Sequence, residues 1–413
     1  MLAHIIFTIL ASSAIIPDVS AAPSPYHGRG TTKSRSSSTS PKAVYLITND
    51  QQNAVAAVPI AADGTLSAGT ITLTGGAGSN VIDGATKQPA APDALDGQSA
   101  LTIAGQHIFA VNAGSNSLSM FSIDASNPTK LTLLGQPVDL PGEFPNTVAA
   151  SAKHKIACVG TTGATNGVSC SSFSGSGLGE MDGLRSFDLV QTTPPVGPTN
   201  TVSQLFFSED ESRLFATVKG DPTVNNTGFF SVFPVDASSW GKAATVSTTD
   251  IRSSPNGTAV LFGSANIPGT SSVFVTDASF GGTVLDVDPA TNEASLVAKQ
   301  VIDGQVATCW ATISPLTNSA FVTDAGVNRI VEMSLANASI IAETDLSANG
   351  DPGLIDLKAA GDFIYALSPG NGTTPAAITV LDVSGDQGSA KAIQHFALNG
   401  MGVDKNAQGM AIP

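Results

Sequence analysis

The chain ends on Gln408-Gly409-Met410-Ala411-Ile412-Pro413, and this stretch decides the fold, because the first of seven repeated units lacks one strand of about that length. The recurring element is a β-branched or aromatic run: Val44–Thr48, Ile108–Asn112, Ile156–Gly160, Leu214–Val218, Val273–Asp277, Ala320–Asp324 and Ile364–Ser368. A second alternating strand follows most copies, as in Ser119–Asp124, Phe230–Asp236, Thr283–Asp288, Ile330–Leu335 and Ile378–Val383. Another apolar strand precedes copies two to seven, for example Ala100–Ala104, Val148–Ser151, Leu205–Ser208 or Ala311–Ser314. Copy one has only a Ser-rich segment in front of it, so the C-terminal residues are expected to fill its empty place. A period of roughly 45–60 residues with about four strands per unit marks a propeller. The sequence therefore predicts an all-β, seven-bladed β-propeller over residues 43–413, its ring closed by a C-terminal strand that completes blade one. Closure of that kind removes two exposed sheet edges.

Composition agrees. The 413 residues include 41 Gly and 24 Pro, and only 12% are charged, which suits many short strands joined by turns. The even repeat spacing argues for one domain where length alone would allow two or three.

The first residues read as an address. Ile5–Ile16 has the length of a signal h-region, and Val19-Ser20-Ala21-Ala22 supplies small residues for cleavage, so residues 1–21 are expected to be a signal peptide. Residues 22–42 are rich in Pro, Ser and Thr and are expected to be a disordered leader. No later stretch approaches the ~20 apolar residues of a membrane helix. N-glycosylation sequons begin at Asn225, Asn256, Asn337 and Asn371, which fits a protein that is secreted or retained at a cell wall or cell surface. The net charge of −15 argues against nucleic acid as a partner.

Three cysteines are few for a disulfide scaffold. Cys158 and Cys170 flank a turn-rich segment and would form a bridge if their Cα atoms came within about 7 Å; otherwise they are two buried thiols. Cys309, beside Trp310, reads as a small buried hydrophobe.

Chemistry in a propeller belongs at the funnel where the innermost strands meet. The alignment places Gln98, Asn146, Gln204, Trp310 and Gln408 there, a polar but neutral set. Amides can hydrogen-bond a carboxylate or sugar and Trp310 can stack on a ring; equally, the amides can satisfy one another and ordered water. No histidine pair has metal-ligand spacing, so no metal is expected, and no dinucleotide or phosphate-loop fingerprint calls for a cofactor. Blade three breaks after Cys170, and Ser171–Gly183 reads as a long Ser/Gly-rich insertion carrying Glu180, with Arg185 just after it. Folded over the funnel, Glu180 and Arg185 would make an acid and an anion clamp; the plainer alternative is a solvent-exposed loop. Arg252 is a further cation expected to reach the funnel.

The stretches KAVYLITNDQQNAVAAVPIAADGTLS (42–67), HIFAVNAGSNSLSMFSID (107–124) and TVSQLFFSEDESRLFATVKGD (201–221) resemble blades of the lactonase family of seven-bladed propellers. That family includes 6-phosphogluconolactonase-type enzymes and fungal 3-carboxy-cis,cis-muconate cyclases. From about Lys42 to Pro413 the chain is similar to secreted fungal 3-carboxymuconate cyclase-like proteins, among them cell-surface glycoprotein antigens. The resemblance implies a metal-independent cyclase or lactonase. Working cyclases are understood to place a His, a Glu and arginines around the funnel, whereas the corresponding inner-strand positions here hold Asn146, Ser203 or Gln204. Two readings follow. The favoured one is a secreted binding protein or adhesin, with a surface or extracellular-matrix ligand, a degenerate pocket and no proton-transfer residue in the funnel. The alternative is an extracellular 3-carboxy-cis,cis-muconate cyclase or lactonase acting on a small carboxylate.

Overall fold

The computed structural model describes residues 43–237 and 243–413. The expected signal peptide and leader lie outside them. Helix among the described residues is limited to the single 3-10 turns Pro222–Val224 and Ser347–Asn349. Seven antiparallel sheets of four or five strands form the seven blades of a propeller.

Blade one is assembled from both ends of the described chain, in the order Thr70–Leu73, Ala54–Pro59, Ala43–Ile47 and Gln408–Ala411. The C-terminal strand is thus the innermost strand of blade one, antiparallel to Ala43–Ile47, with a register shift between its pairings to Tyr45 and Ile47. Gly409 sits at this irregularity with φ +71, a left-handed conformation that favours glycine. A Cβ there would also come within 2.6 Å of the Leu101 side chain of blade two.

The remaining blades follow in chain order. Their innermost strands are Leu101–Ala104, Pro145–Ser151, Val202–Phe207, Leu261–Asn266, Thr308–Ser314 and Ile355–Ala360. The middle strands of a blade are packed on both faces by neighbouring blades and so read as apolar runs, as in the wholly buried second strand of blade one, Ala43–Ile47. The outer strand Ala294–Val301 of blade five has one solvated face, and its exposure alternates residue by residue. In blades three to seven the inner strand carries a register shift near its start, at Asn146, Ser203, Phe262–Gly263, Cys309–Trp310 and Asp356. A bulge re-aims the extra residue, and here it recurs where the blades converge.

The expected insertion in blade three is corrected by the structure. Gly167–Ser174 is one continuous strand and Gly177–Met181 returns beside it, so Ser171–Gly183 is mainly the outer hairpin of the blade. Phe173 anchors the strand, its ring 4.8 Å from that of Phe109 in blade two. The Ser/Gly composition conceals an alternation that this one aromatic completes. Cys158 and Cys170 are direct cross-strand partners, and they are joined as a disulfide.

Two long connections lie at the end of the ring where the inner strands begin. One runs from blade one to blade two, the other from blade three to blade four. They meet as a short parallel pair, Ile82–Asp83 with Val196–Gly197.

Candidate functional site

The connection into blade two ends in Ala91-Pro92-Asp93-Ala94-Leu95-Asp96-Gly97-Gln98, and this segment crosses the channel. Its Gln98 N–H donates to the Ser203 carbonyl of blade four at 2.8 Å. The Gln98 side chain reaches blade six, where its amide donates to the Ala311 carbonyl at 3.0 Å and accepts from the Ala311 N–H at 3.1 Å. Asn146 of blade three donates to the Leu95 carbonyl at 3.3 Å and to the Val202 carbonyl at 2.6 Å. A segment bonded to blades three, four and six at once lies over the axis of the ring and closes it.

Beneath that closure is a cluster of ionisable groups. Asp93 and Asp96 come from the segment itself, 9% and 5% exposed, and Lys219 enters from the end of a blade-four strand at 1%. The Lys219 ammonium donates to the Asp96 carbonyl at 2.6 Å and to the Ser203 hydroxyl at 3.2 Å, and it lies 4.5 Å from the centre of the Phe262 ring. Burial pushes the Asp93 carboxyl well above the usual range, and the nearby Asp96 charge adds to the rise, while Lys219 opposes it. Burial raises Asp96 to about 6 against the pull of Lys219. Burial lowers Lys219, and the two aspartates offset part of that fall. The Cys309 thiol is also driven up by burial, which keeps it neutral and unreactive.

Several polar atoms here are buried without a hydrogen-bond partner: Asp93 Oδ1, Asp96 Oδ2, Asn146 Oδ1, Trp310 Nε1 and both amide atoms of Gln408. The Gln408 amide still lies close enough to Asp93 to favour its ionised form. Chemically the cluster sets two carboxyls raised by burial, of which Asp96 reaches about 6, beside a buried ammonium. A hollow of about 330 Å³ adjoins Asp96 between the two long connections and blade six. A larger concavity, about 440 Å³, lies away from the cluster beside Glu209 and Arg213. Its arginine is already committed to Asn292 at 2.5 Å and to the Pro289 carbonyl at 3.0 Å.

The structure sorts the residues expected from sequence into two groups. Gln98, Asn146, Gln204, Trp310 and Gln408 are all buried where the inner strands converge. Gln204 is bound to the Ser264 carbonyl at 3.3 Å and its N–H at 2.5 Å, and Trp310 packs edge-on against Phe262 at 4.9 Å. The other group lies elsewhere. Glu180 is exposed on the outermost strand of blade three. Arg185 is buried, but its partners are Asp182 at 2.8 Å and the Val246 and Ser247 carbonyls of blade four. The Glu180–Arg185 clamp is therefore not formed over the funnel. Arg252 lies on a strand paired to the third strand of blade four, bonded to Asp250 at 2.7 Å, its guanidinium 4.6 Å from the Phe229 ring centre, and it does not line the channel.

Sequence reasoning missed Asp93, Asp96 and Lys219. One signal was present: a connection containing Pro92, Ala94 and Leu95 is too apolar for a free loop, so acids spaced three apart within it were candidates for burial. The expected absence of proton-transfer groups from the funnel is overturned by these three residues. No group of three or more His, Cys, Asp or Glu among the described residues is arranged to hold a metal. No helix among them is long and apolar enough to cross a membrane.

Solved structures share the propeller fold of this chain. A "putative 6-phosphogluconolactonase" from Bacteroides fragilis is similar over 92% of this chain and 99% of its own, at 12% identity and TM-score 0.62. A second, from Bacteroides uniformis, covers 69% of this chain and 80% of its own at 13% identity and TM-score 0.52. A functionally unknown protein from Desulfotomaculum acetoxidans covers 90% and 99% at 10% identity and TM-score 0.55. Identities this low speak to the fold alone. No protein-family model and no curated protein matches the sequence.

Proposed function

We propose that this chain is an exported glycoprotein that uses a lactonase-like propeller as a rigid binding scaffold, in the manner of an adhesin or surface antigen. The observation that carries this reading is the crossing of the channel by residues 93–98, tied to three blades, beneath which Lys219 and Asp93 are buried. Export is supported by the sequence resemblance to secreted fungal proteins and by a disulfide, which persists in oxidising compartments. Asn225, Asn256, Asn337 and Asn371 are all exposed, as glycan attachment requires. Glycosidase treatment of the secreted protein is expected to lower its mass.

A second reading is favoured by a specific observation: unpartnered oxygens on Asp93 and Asp96 beside a buried ammonium are the parts of a proton-transfer centre. On that reading the protein is a cyclase or lactonase whose closure opens to admit a small carboxylate. The deciding experiment is turnover of 3-carboxy-cis,cis-muconate and of 6-phosphogluconolactone by the folded protein. The scaffold reading expects no turnover above background. Turnover abolished in Asp96→Asn and Lys219→Ala would overthrow it in favour of the enzyme.

A further inference from the structure

We infer that the hollow beside Asp96 is a binding site for a small organic cation, a primary amine carried on a compact apolar body. The hollow holds about 330 Å³, a volume suited to a small molecule. Its walls are apolar, from Pro89, Pro92, Pro198 and Val306, and its two charged residues are both acids, Asp83 and Asp96. Among the described residues, no lysine, arginine or histidine lines it.

The two carboxylates have different standing. Asp83 accepts from the Thr86 N–H at 2.5 Å, the Thr86 hydroxyl at 2.7 Å and the Ala85 N–H at 3.1 Å, and these bonds hold its carboxyl below the usual range, so its charge is secure. Asp96 Oδ2 is buried and has no hydrogen-bond partner among the described residues. That oxygen occupies the space a side chain would take at Gly197, another wall residue, so only glycine leaves room for it there. Lys219 does not bond to this oxygen; its ammonium is bonded to the Asp96 carbonyl and to Ser203. A buried anionic oxygen without a partner is costly, and an incoming ammonium would supply both the missing hydrogen bond and the missing charge. The sign of the ligand is thus opposite to the carboxylate expected from sequence, since Arg185 and Arg252 both point their charges elsewhere.

Asp96 faces Lys219, Asp93 and Asp83, and the balance of these with burial raises its carboxyl to about 6. An amine that needs the ionised form should therefore bind more weakly in acid. The inference stands apart from the question of turnover, because it holds for a scaffold and for an enzyme alike.

The test is calorimetric titration of the full chain with cyclohexylamine, with cyclohexanol and cyclohexanecarboxylate as neutral and anionic isosteres. Saturable binding of the amine alone is expected at about pH 7.5, weakening about tenfold at about pH 5 as Asp96 takes up a proton. Asp96→Asn should weaken the amine at least about tenfold, the effect of one charged hydrogen bond. Val306 is 67% exposed, so Val306→Trp should fold normally and obstruct the mouth while both carboxylates remain. Amine binding unchanged in both variants, equal binding of the carboxylate, or no saturable binding of the amine would each overturn the inference.

Discussion

Replacing Asp96 by Asn should make the protein more stable at neutral pH and leave it nearly unchanged in acid. An isolated aspartate titrates at 3.8, whereas burial raises Asp96 to about 6 in the folded protein. A carboxyl whose folded pKa is raised holds its proton more tightly when folded. Its contribution to stability is therefore full below about pH 3.8 and is lost as pH rises through about 6. That rise in pKa corresponds to roughly 3 kcal/mol at pH 7.5, of which only about 1 kcal/mol is already lost at pH 4.5. The wild type should thus lose about 2 kcal/mol between those two pH values through this one group. Asp96→Asn removes the titration and keeps the shape, so this share of the pH dependence should vanish. Equilibrium denaturation of both proteins at the two pH values measures it directly. If the variant were less stable than wild type at pH 7.5, with the same pH dependence, Asp96 would be ionised and well paired in the fold, and the account of the buried cluster would be wrong.

Other outcomes follow from the packing. Deleting residues 408–413 removes the inner strand of blade one and exposes the edge of Ala43–Ile47; circular dichroism and size exclusion should report loss of the native fold or aggregation. Cys158→Ser should cost about 3 kcal/mol, the chain-entropy value for a loop near 12 residues, read by denaturation under non-reducing conditions. Phe173→Ala should cost roughly 3–5 kcal/mol, because Phe173 is 5% exposed against Phe109; a surface loop residue would cost almost nothing. Gly197→Ala places a methyl on the Asp96 carboxylate and should destabilise by about 1–3 kcal/mol, read as a fall in melting temperature.

Much of the architecture was legible in the sequence because a propeller repeats. Each blade must bury its middle strands on both faces, so runs such as Val273–Asp277 and Ala320–Asp324 announce themselves locally. The closing role of Gln408–Ala411 followed from counting, since six copies had a strand that the first lacked. The Cys158–Cys170 pairing was open to sequence because the two residues lie only 12 apart across one turn. Blade three was misread because Ser171–Gly183 has the composition of a loop, and the partner that makes Phe173 a core residue belongs to another blade.

The centre of the ring was a different matter. Nothing near Lys219 in the chain marks it as buried, and its bond to Asp96 spans 123 residues; the Gln98–Ala311 contact spans 213. Local pattern reports which faces of a strand avoid water, and that was enough for seven blades and their closure. Which blade ends a connection crosses, and which charges it drives below the surface there, depends on the curvature of the whole ring. The sequence by itself therefore determined the scaffold, while only the tertiary structure decided that its channel is closed over two aspartates and a lysine.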